Sequence, residues 1–130
     1  MINHNKKIRI GLIGVGYLGK FHLHHLINLP QFHLIGIFDN NFNHGRNIAK
    51  KNKIYLFDSY INLLNEVDAV CIVTPTITHY SLAMEAINNN KHVFIEKPIC
   101  SSIHDTNQII KTKNKFNRIV QVGHIERFNP

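Results

Sequence analysis

The 130-residue chain has no long hydrophobic run, two cysteines and fewer acidic than basic residues, and each shortage excludes a class of protein. No apolar run approaches the ~20 residues that a membrane-spanning helix needs. The opening MINHNKK lacks the apolar stretch of a signal peptide. Cys71 and Cys100 match no metal or redox spacing, so we expect no disulfide framework, and Cys71 is predicted to be buried. These features predict a cytoplasmic protein without a membrane partner.

The shortage of acidic residues gives a formal net charge of +7, from 15 Lys and Arg against 8 Asp and Glu. The cationic residues are scattered and are not interleaved with aromatic residues, as they are in single-strand nucleic-acid binders. Lysine, isoleucine and asparagine are all abundant, which is typical of an AT-rich coding sequence. We therefore interpret the lysines as solvated surface residues and expect no nucleic acid as partner. A basic interaction surface stays open as an alternative, which would show salt-dependent binding.

The chain is 44% hydrophobic, which suits one compact domain and excludes general disorder. Apolar β-branched runs alternate with amphipathic stretches, which predicts an α/β fold with a parallel sheet and helices on both faces. Six strands match the doubly wound (Rossmann) dinucleotide-binding fold, with strand order 3-2-1-4-5-6. The predicted strands are 8–13, 33–38, 54–57, 69–73, 92–95 and 119–122, and the predicted helices are 17–28, 43–51, 59–65, 78–89 and 102–114.

A GxGxxG motif lies directly between the first predicted strand and the first predicted helix. Gly14 permits the tight turn, Gly16 lets the backbone approach a pyrophosphate, and Gly19 allows close packing of helix on strand. The helix N-terminus supplies amide donors and a dipole for the anion. A glycine turn without a ligand is the structural alternative.

Asp39 follows Gly19 by 20 residues, at the end of the second predicted strand. An acidic group at this place accepts hydrogen bonds from the adenosine ribose hydroxyls, and its charge would repel a 2′-phosphate. NAD is therefore favoured over NADP as cofactor, although Arg46 in the next helix could soften that preference. A turn-forming Asp-Asn pair is the alternative interpretation.

The ends of the fourth and fifth predicted strands supply further candidates. Thr74 and Pro75 are placed to line the cofactor crevice, since ligands lie beyond the carboxyl ends of the strands. His79 opens the next helix, where it either borders the ligand or is a helix residue without one. Lys97 follows Glu96 and precedes Pro98, which favours an extended backbone. In the crevice this lysine could exchange a proton with a substrate hydroxyl; otherwise it is a solvated surface residue.

The three clustered histidines of the first predicted helix suggest a metal site only weakly. His22 and His25 have helical spacing, but no carboxylate or cysteine is near them in sequence. We therefore predict no metal and a surface or packing role for these side chains.

Four ordered segments together resemble the N-terminal domain of the glucose-fructose oxidoreductase/inositol dehydrogenase (Gfo/Idh/MocA) family. They are residues 10–19 (IGLIGVGYLG), 74–79 (TPTITH), 91–98 (KHVFIEKP) and 121–130 (QVGHIERFNP). The last segment looks most like that of members related to UDP-N-acetylglucosamine 3-dehydrogenase. The resemblance covers nearly the whole chain.

The resemblance implies an NAD(P)-dependent oxidoreductase acting on a sugar, a UDP-sugar or a cyclitol. It implies that Lys97 is the catalytic lysine, paired with Glu96, and that Asp39 holds the adenosine ribose. It further implies cofactor contacts from the glycine loop and from the second half of the crevice, that is, from Gly14, Val15, Gly16, Tyr17, Leu18, Gly19, Thr74, Pro75, His79, Glu96 and Lys97.

Members of that family carry a second, sheet-rich domain that closes the substrate site. We therefore expect residues 1–130 to be the dinucleotide-binding domain, truncated before the substrate domain, with an apolar face exposed near the last strand. The full-length form is a candidate homo-oligomer. Two functions stay open: the cofactor domain of a sugar dehydrogenase, and a nucleotide-binding module without catalytic activity.

Overall fold

A computed structural model describes residues 6–123, which form one parallel β-sheet with helices on both faces. A short 3-10 helix at Thr76–Thr78 precedes the fourth helix. The strands are β1 (Ile8–Ile13), β2 (Phe32–Phe38), β3 (Ala69–Ile72), β4 (His92–Glu96) and β5 (Val120–Gly123), and the helices are α1 (Tyr17–Asn28), α2 (Phe42–Asn52), α3 (Tyr60–Leu64), α4 (His79–Asn88) and α5 (Ile103–Phe116).

The strand order is β2-β1-β3-β4-β5, with every pairing parallel. Our prediction of six strands was wrong, because residues 54–57 make only an isolated bridge from Leu56 to Ile37. Ile37 donates its N–H to the Tyr55 carbonyl, and Phe57 donates to the Ile37 carbonyl. The chain then turns at Ser59 into α3, so the pairing stops after one residue. The bridge lies beside β2, the edge where the third strand was predicted.

Side chains that alternate along the central strands fill two separate cores, one on each face of the sheet. On β3, Val70 and Ile72 join the core under α3, α4 and α5, which also contains Leu63, Ile87 and Ile109. The neighbouring Ala69 and Cys71 face the opposite core, which lies under α1 and α2. Both faces of β3 are buried, as the continuous apolar run predicted. Cys71 and Cys100 are unpaired.

The helices differ in how the backbone amides of their first turns are capped. The Asn41, Ser59 and Ser102 side chains accept hydrogen bonds from the backbone of the first turns of α2, α3 and α5. Helix α1 begins after Gly16, where no side chain provides a cap and no acidic residue occupies the first turn. The first amide groups of α1 therefore have no intrahelical or side-chain acceptor there and face the loop that precedes the helix.

An apolar groove of about 740 Å³ runs over the part of the sheet that α1 leaves open, beside β5. Its lining includes Leu26, Phe94 and Ile119, and Ile119 is 66% exposed. We expected an apolar face in this region. Within residues 6–123, none of the helices has the length and apolar character of a membrane-crossing segment.

Candidate functional site

A crevice of about 520 Å³ opens at the carboxyl ends of β1, β2 and β3. This is the switch point of the sheet, because the chain proceeds outward in opposite directions from β1 and β3. Five of the residues that the sequence predicted for cofactor binding line it: Gly14, Gly16, Asp39, Thr74 and Pro75. The walls also contain residues that sequence reasoning missed, among them Asn40, Asn41, Thr78, Ser81 and Leu82.

The glycine loop has the geometry that its spacing predicted. Gly14 has φ +93°, and a Cβ there would lie 2.2 Å from the Val73 carbonyl oxygen. A Cβ on Gly19 would lie 2.2 Å from the Gly14 carbonyl oxygen, so α1 packs directly on the loop. Nothing lies within 4 Å of a Cβ placed on Gly16. The loop is therefore tight at both ends and open in the middle, where an anion can approach the first amides of α1.

The other loop residues have distinct environments. Val15 is fully buried, and its carbonyl oxygen accepts a 2.8 Å hydrogen bond from His44 Nε2. Tyr17 is 80% exposed and stacks edge-on against Phe21. Leu18 is also exposed. None of these three side chains lines the crevice, so any contact from Val15 to a ligand there would come from the backbone.

Asp39 braces the glycine loop, a role that sequence reasoning did not identify. Its Oδ2 accepts a 2.9 Å hydrogen bond from the Val15 N–H, and its Oδ1 accepts one of 2.8 Å from the Asn41 N–H. Each carboxylate oxygen has a further lone pair to offer. Arg46, one turn into α2, has its guanidinium 5.0 Å from the centre of the Phe42 ring. The Asp39 carboxylate can therefore hold the loop and still accept hydroxyl donors from the crevice.

Hydrogen bonds among threonines shape the opposite wall. Thr74 Oγ1 and Thr78 Oγ1 lie 2.7 Å apart, and the Thr78 hydroxyl donates to the Pro75 carbonyl over 2.6 Å. His79 is 1% exposed and does not reach the crevice surface. Its Nε2 lies 2.9 Å from the Thr74 carbonyl oxygen and its Nδ1 lies 2.9 Å from that of Pro98. His79 thus connects the end of β3 to the turn after β4.

That turn carries Glu96, Lys97 and Pro98, with a cis peptide bond before the proline. Glu96 is 7% exposed, and its carboxylate is bonded to His22 Nε2 over 2.7 Å and to the Lys97 N–H over 3.2 Å. Lys97 itself is exposed. Neither Glu96 nor Lys97 lines the 520 Å³ crevice, so the structure places them at the next strand end rather than in its walls.

Burial raises the pKa of Cys71 and of Tyr60, which both lie outside the crevice. Burial, with a smaller contribution from the charge of Glu96, raises the pKa of the Cys71 thiol to about 12. Burial also raises the pKa of the Tyr60 hydroxyl well above its usual range, and that hydroxyl donates to the Leu82 carbonyl over 2.6 Å. Cys71 therefore stays a protonated thiol at neutral pH. Among residues 6–123, no cluster of three or more His, Cys, Asp or Glu side chains offers a metal site.

Comparison with known proteins relates the whole described fold to one group of oxidoreductases. Residues 8–124 match the sequence model of the Gfo/Idh/MocA group, described as an oxidoreductase family with an NAD-binding Rossmann fold. A UDP-N-acetylglucosamine 3-dehydrogenase of Acidithiobacillus ferrooxidans is 37% identical over 95% of this chain and 39% of its own. A scyllo-inositol 2-dehydrogenase (NAD(+)) of Bacillus subtilis is 31% identical over 95% of this chain and 37% of its own.

A solved structure of the Acidithiobacillus ferrooxidans UDP-N-acetylglucosamine 3-dehydrogenase superimposes with a TM-score of 0.90 at 36% identity. The match covers 96% of this chain and 41% of that one. The chain therefore spans about two fifths of the length of these relatives. The part of the predicted family signature at residues 124–130 lies outside the described residues.

Proposed function

Because the chain belongs to the Gfo/Idh/MocA oxidoreductase family, with its NAD-binding Rossmann fold, we propose that it is the cofactor-binding domain of an NAD-dependent sugar dehydrogenase. One observation carries the proposal: the open centre of the glycine loop, the uncapped start of α1 and the Asp39 carboxylate face one crevice. An anion and two ribose hydroxyls are the ligand groups that such walls recognise.

The residues fit NAD in the following way. Gly14, Gly16 and Gly19 hold the pyrophosphate through the loop backbone and the first turn of α1. Asp39 accepts hydrogen bonds from the adenosine ribose, and its charge disfavours the 2′-phosphate of NADP. Thr74 lines the nicotinamide half.

His79 serves that half of the site indirectly, since its ring is buried and bonded to the carbonyl oxygens of Thr74 and Pro98. Pro75 shapes the same wall, and the Thr78 hydroxyl bonded to its carbonyl keeps it in place. These contacts support a rigid nicotinamide wall rather than a direct bond from the His79 ring to the cofactor.

The reaction that we propose is oxidation of a sugar or UDP-sugar hydroxyl. NAD, when bound, supplies the hydride acceptor for the substrate carbon. The Lys97 amine takes the proton of the substrate hydroxyl as the carbon–oxygen double bond forms, and in the reverse direction it returns that proton. Substrate orientation and exclusion of water are assigned to a second domain, since the relatives are more than twice as long as this chain.

Substitution of Gly16 tests the crevice directly. A Cβ on Gly16 meets nothing within 4 Å, and the residue has φ −71°, so Gly16→Ala should leave the free energy of unfolding unchanged. The same methyl group would stand where the pyrophosphate approaches, and overpacking of that kind costs about 1–3 kcal/mol. We expect the Kd for NADH, measured by fluorescence titration, to rise about tenfold or more.

The control is Gly45→Ala, a glycine of α2 that does not line the crevice. Its Kd for NADH should stay at the wild-type value. Unchanged NADH affinity in Gly16→Ala, with wild-type stability, would show that the pyrophosphate does not bind at this loop.

A nucleotide-binding module without catalysis is the second candidate function. It is supported by the lining of the crevice, which includes Gly14, Gly16 and Asp39 but neither Glu96 nor Lys97. Incubation of the chain with NAD and UDP-N-acetylglucosamine distinguishes the two functions. Formation of NADH excludes the module, whereas NADH binding without turnover is expected for both functions, since the first assigns substrate orientation to a second domain.

A further inference from the structure

His22 makes a connection between α1 and β4 that the function described so far does not use. It lies in the second turn of the helix that begins at the glycine loop. Its ring crosses over β3, with Nδ1 3.9 Å from Cys71 Sγ, and its Nε2 reaches Glu96 Oε1 at 2.7 Å. The ring also lies 5.6 Å from that of Phe94, on the same face of the sheet.

The surroundings of Glu96 require such a partner. Its side chain is 9% exposed, and a buried carboxylate is costly unless it is hydrogen-bonded. Gly123 of β5 closes the other side, since a Cβ there would lie 3.2 Å from Glu96 Oε1. The second oxygen, Oε2, accepts the backbone N–H of Lys97. The orientation of this carboxylate is therefore joined to the backbone of the lysine that follows it.

The hydrogen-bond donors and acceptors from Cys71 through His22 and Glu96 to Lys97 are compatible with one another. Cys71 is a thiol at neutral pH, because burial raises its pKa to about 12, so its S–H can donate to His22 Nδ1. In the tautomer that carries its proton on Nε2, His22 donates to Glu96 Oε1, while Glu96 Oε2 accepts the Lys97 N–H. Every polar group in the series from Cys71 to Lys97 has a compatible partner.

We propose that His22 is a positioning residue, which acts through Glu96 to fix Lys97 relative to the glycine loop. This inference rests on the proposed function, in which the loop holds the pyrophosphate and Lys97 lies beside the nicotinamide. Helix α1 begins at the glycine loop, and its His22 side chain is hydrogen-bonded to Glu96 at the end of β4. The hydrogen bond from His22 to Glu96 therefore sets the spacing between the two halves of the cofactor site.

The test compares two nucleotides in wild-type chain, His22→Leu, His22→Gln and His24→Leu. ADP fills the adenosine and pyrophosphate part and does not extend to Lys97, whereas NADH spans both parts. In His22→Leu we expect the Kd for NADH to rise about tenfold and the Kd for ADP to change less than about twofold. Gln places an N–H near the position of Nε2, so His22→Gln should recover most of the NADH affinity. His24 is an exposed neighbour on α1, and its replacement should change neither Kd.

The outcomes separate the inference from the proposed function. If His22→Leu keeps the wild-type ratio of the two Kd values, or raises both in parallel, His22 does not position Lys97. If wild-type chain binds neither ADP nor NADH, the proposed function fails as well. If His22→Leu does not fold, His22→Asn replaces it with the same expectation, because an Asn amide is too short to reach Glu96.

Discussion

Replacement of Gly19 by alanine should destabilise the protein although alanine is the better helix former. Gly19 lies in the first turn of α1, and a Cβ there would be 2.2 Å from the Gly14 carbonyl oxygen and 2.8 Å from its carbon. Both atoms belong to the backbone of a tight turn, so no side chain can move aside. An overpacking cost of about 3 kcal/mol, less a helix gain of about 1 kcal/mol, leaves a net loss of about 2 kcal/mol.

Urea denaturation followed by circular dichroism measures this loss. With a slope of about 2 kcal/mol/M, the Gly19→Ala midpoint should fall by about 1 M. The matched control is Gly45→Ala, where the nearest atom to a new Cβ is a flexible Leu56 methyl group at 3.1 Å. We expect the control to lie between neutral and about 1 kcal/mol more stable. Equal midpoints for the two variants would refute the close packing of α1 on the glycine loop.

Two further predictions concern the response to pH and the discrimination between cofactors. Burial, with the neighbouring Arg118 charge in the same direction, lowers the pKa of His92, whose Nδ1 accepts the Ile119 N–H over 3.0 Å. Because the pKa of His92 is lower in the folded state, neutral His92 adds to the free energy of unfolding. This stabilisation is complete above the ordinary pKa of 6.5 and is lost as the pH falls below it. The urea midpoint of wild-type protein should therefore fall more steeply on acidification than that of His92→Asn, and parallel curves would exclude the effect. Asp39→Asn removes the charge that repels a 2′-phosphate, so the ratio of NADPH to NADH Kd values should move towards one in parallel titrations. An unchanged ratio would mean that Asp39 does not select the cofactor.

Periodicity and glycine spacing predict most of the fold because each depends on short-range physics. The apolar run at residues 69–73 and the alternation of strands with helices indicate a buried parallel sheet without further information. The positive φ of Gly14 and the close contact at Gly19 follow from the motif alone. The same reasoning placed a sixth strand at residues 54–57, where composition favours a strand and pairing is limited to one residue by the turn into α3.

The side-chain connections of the site depend on long-range geometry and were not predictable from one sequence. His22 and Glu96 are 74 positions apart, and nothing near His22 in the chain suggests an acidic partner. Asp39 was predicted as a ligand for ribose, yet its hydrogen bonds to the Val15 and Asn41 amides became apparent only in three dimensions. His79 was predicted either to border the ligand or to be a helix residue without one, and its burial between two carbonyl oxygens became apparent only in three dimensions.

The location of bound cofactor is the most direct test of the account. Titration of isotope-labelled chain with NADH, followed by amide chemical shifts, distinguishes the 520 Å³ crevice from the 740 Å³ apolar groove. We predict that the largest shifts fall on the amides of Gly16, Asn40 and Thr74. Shifts confined to the groove, at Phe94 and Gln121, or the absence of any shift at millimolar NADH, would contradict the assignment of the crevice as the cofactor site.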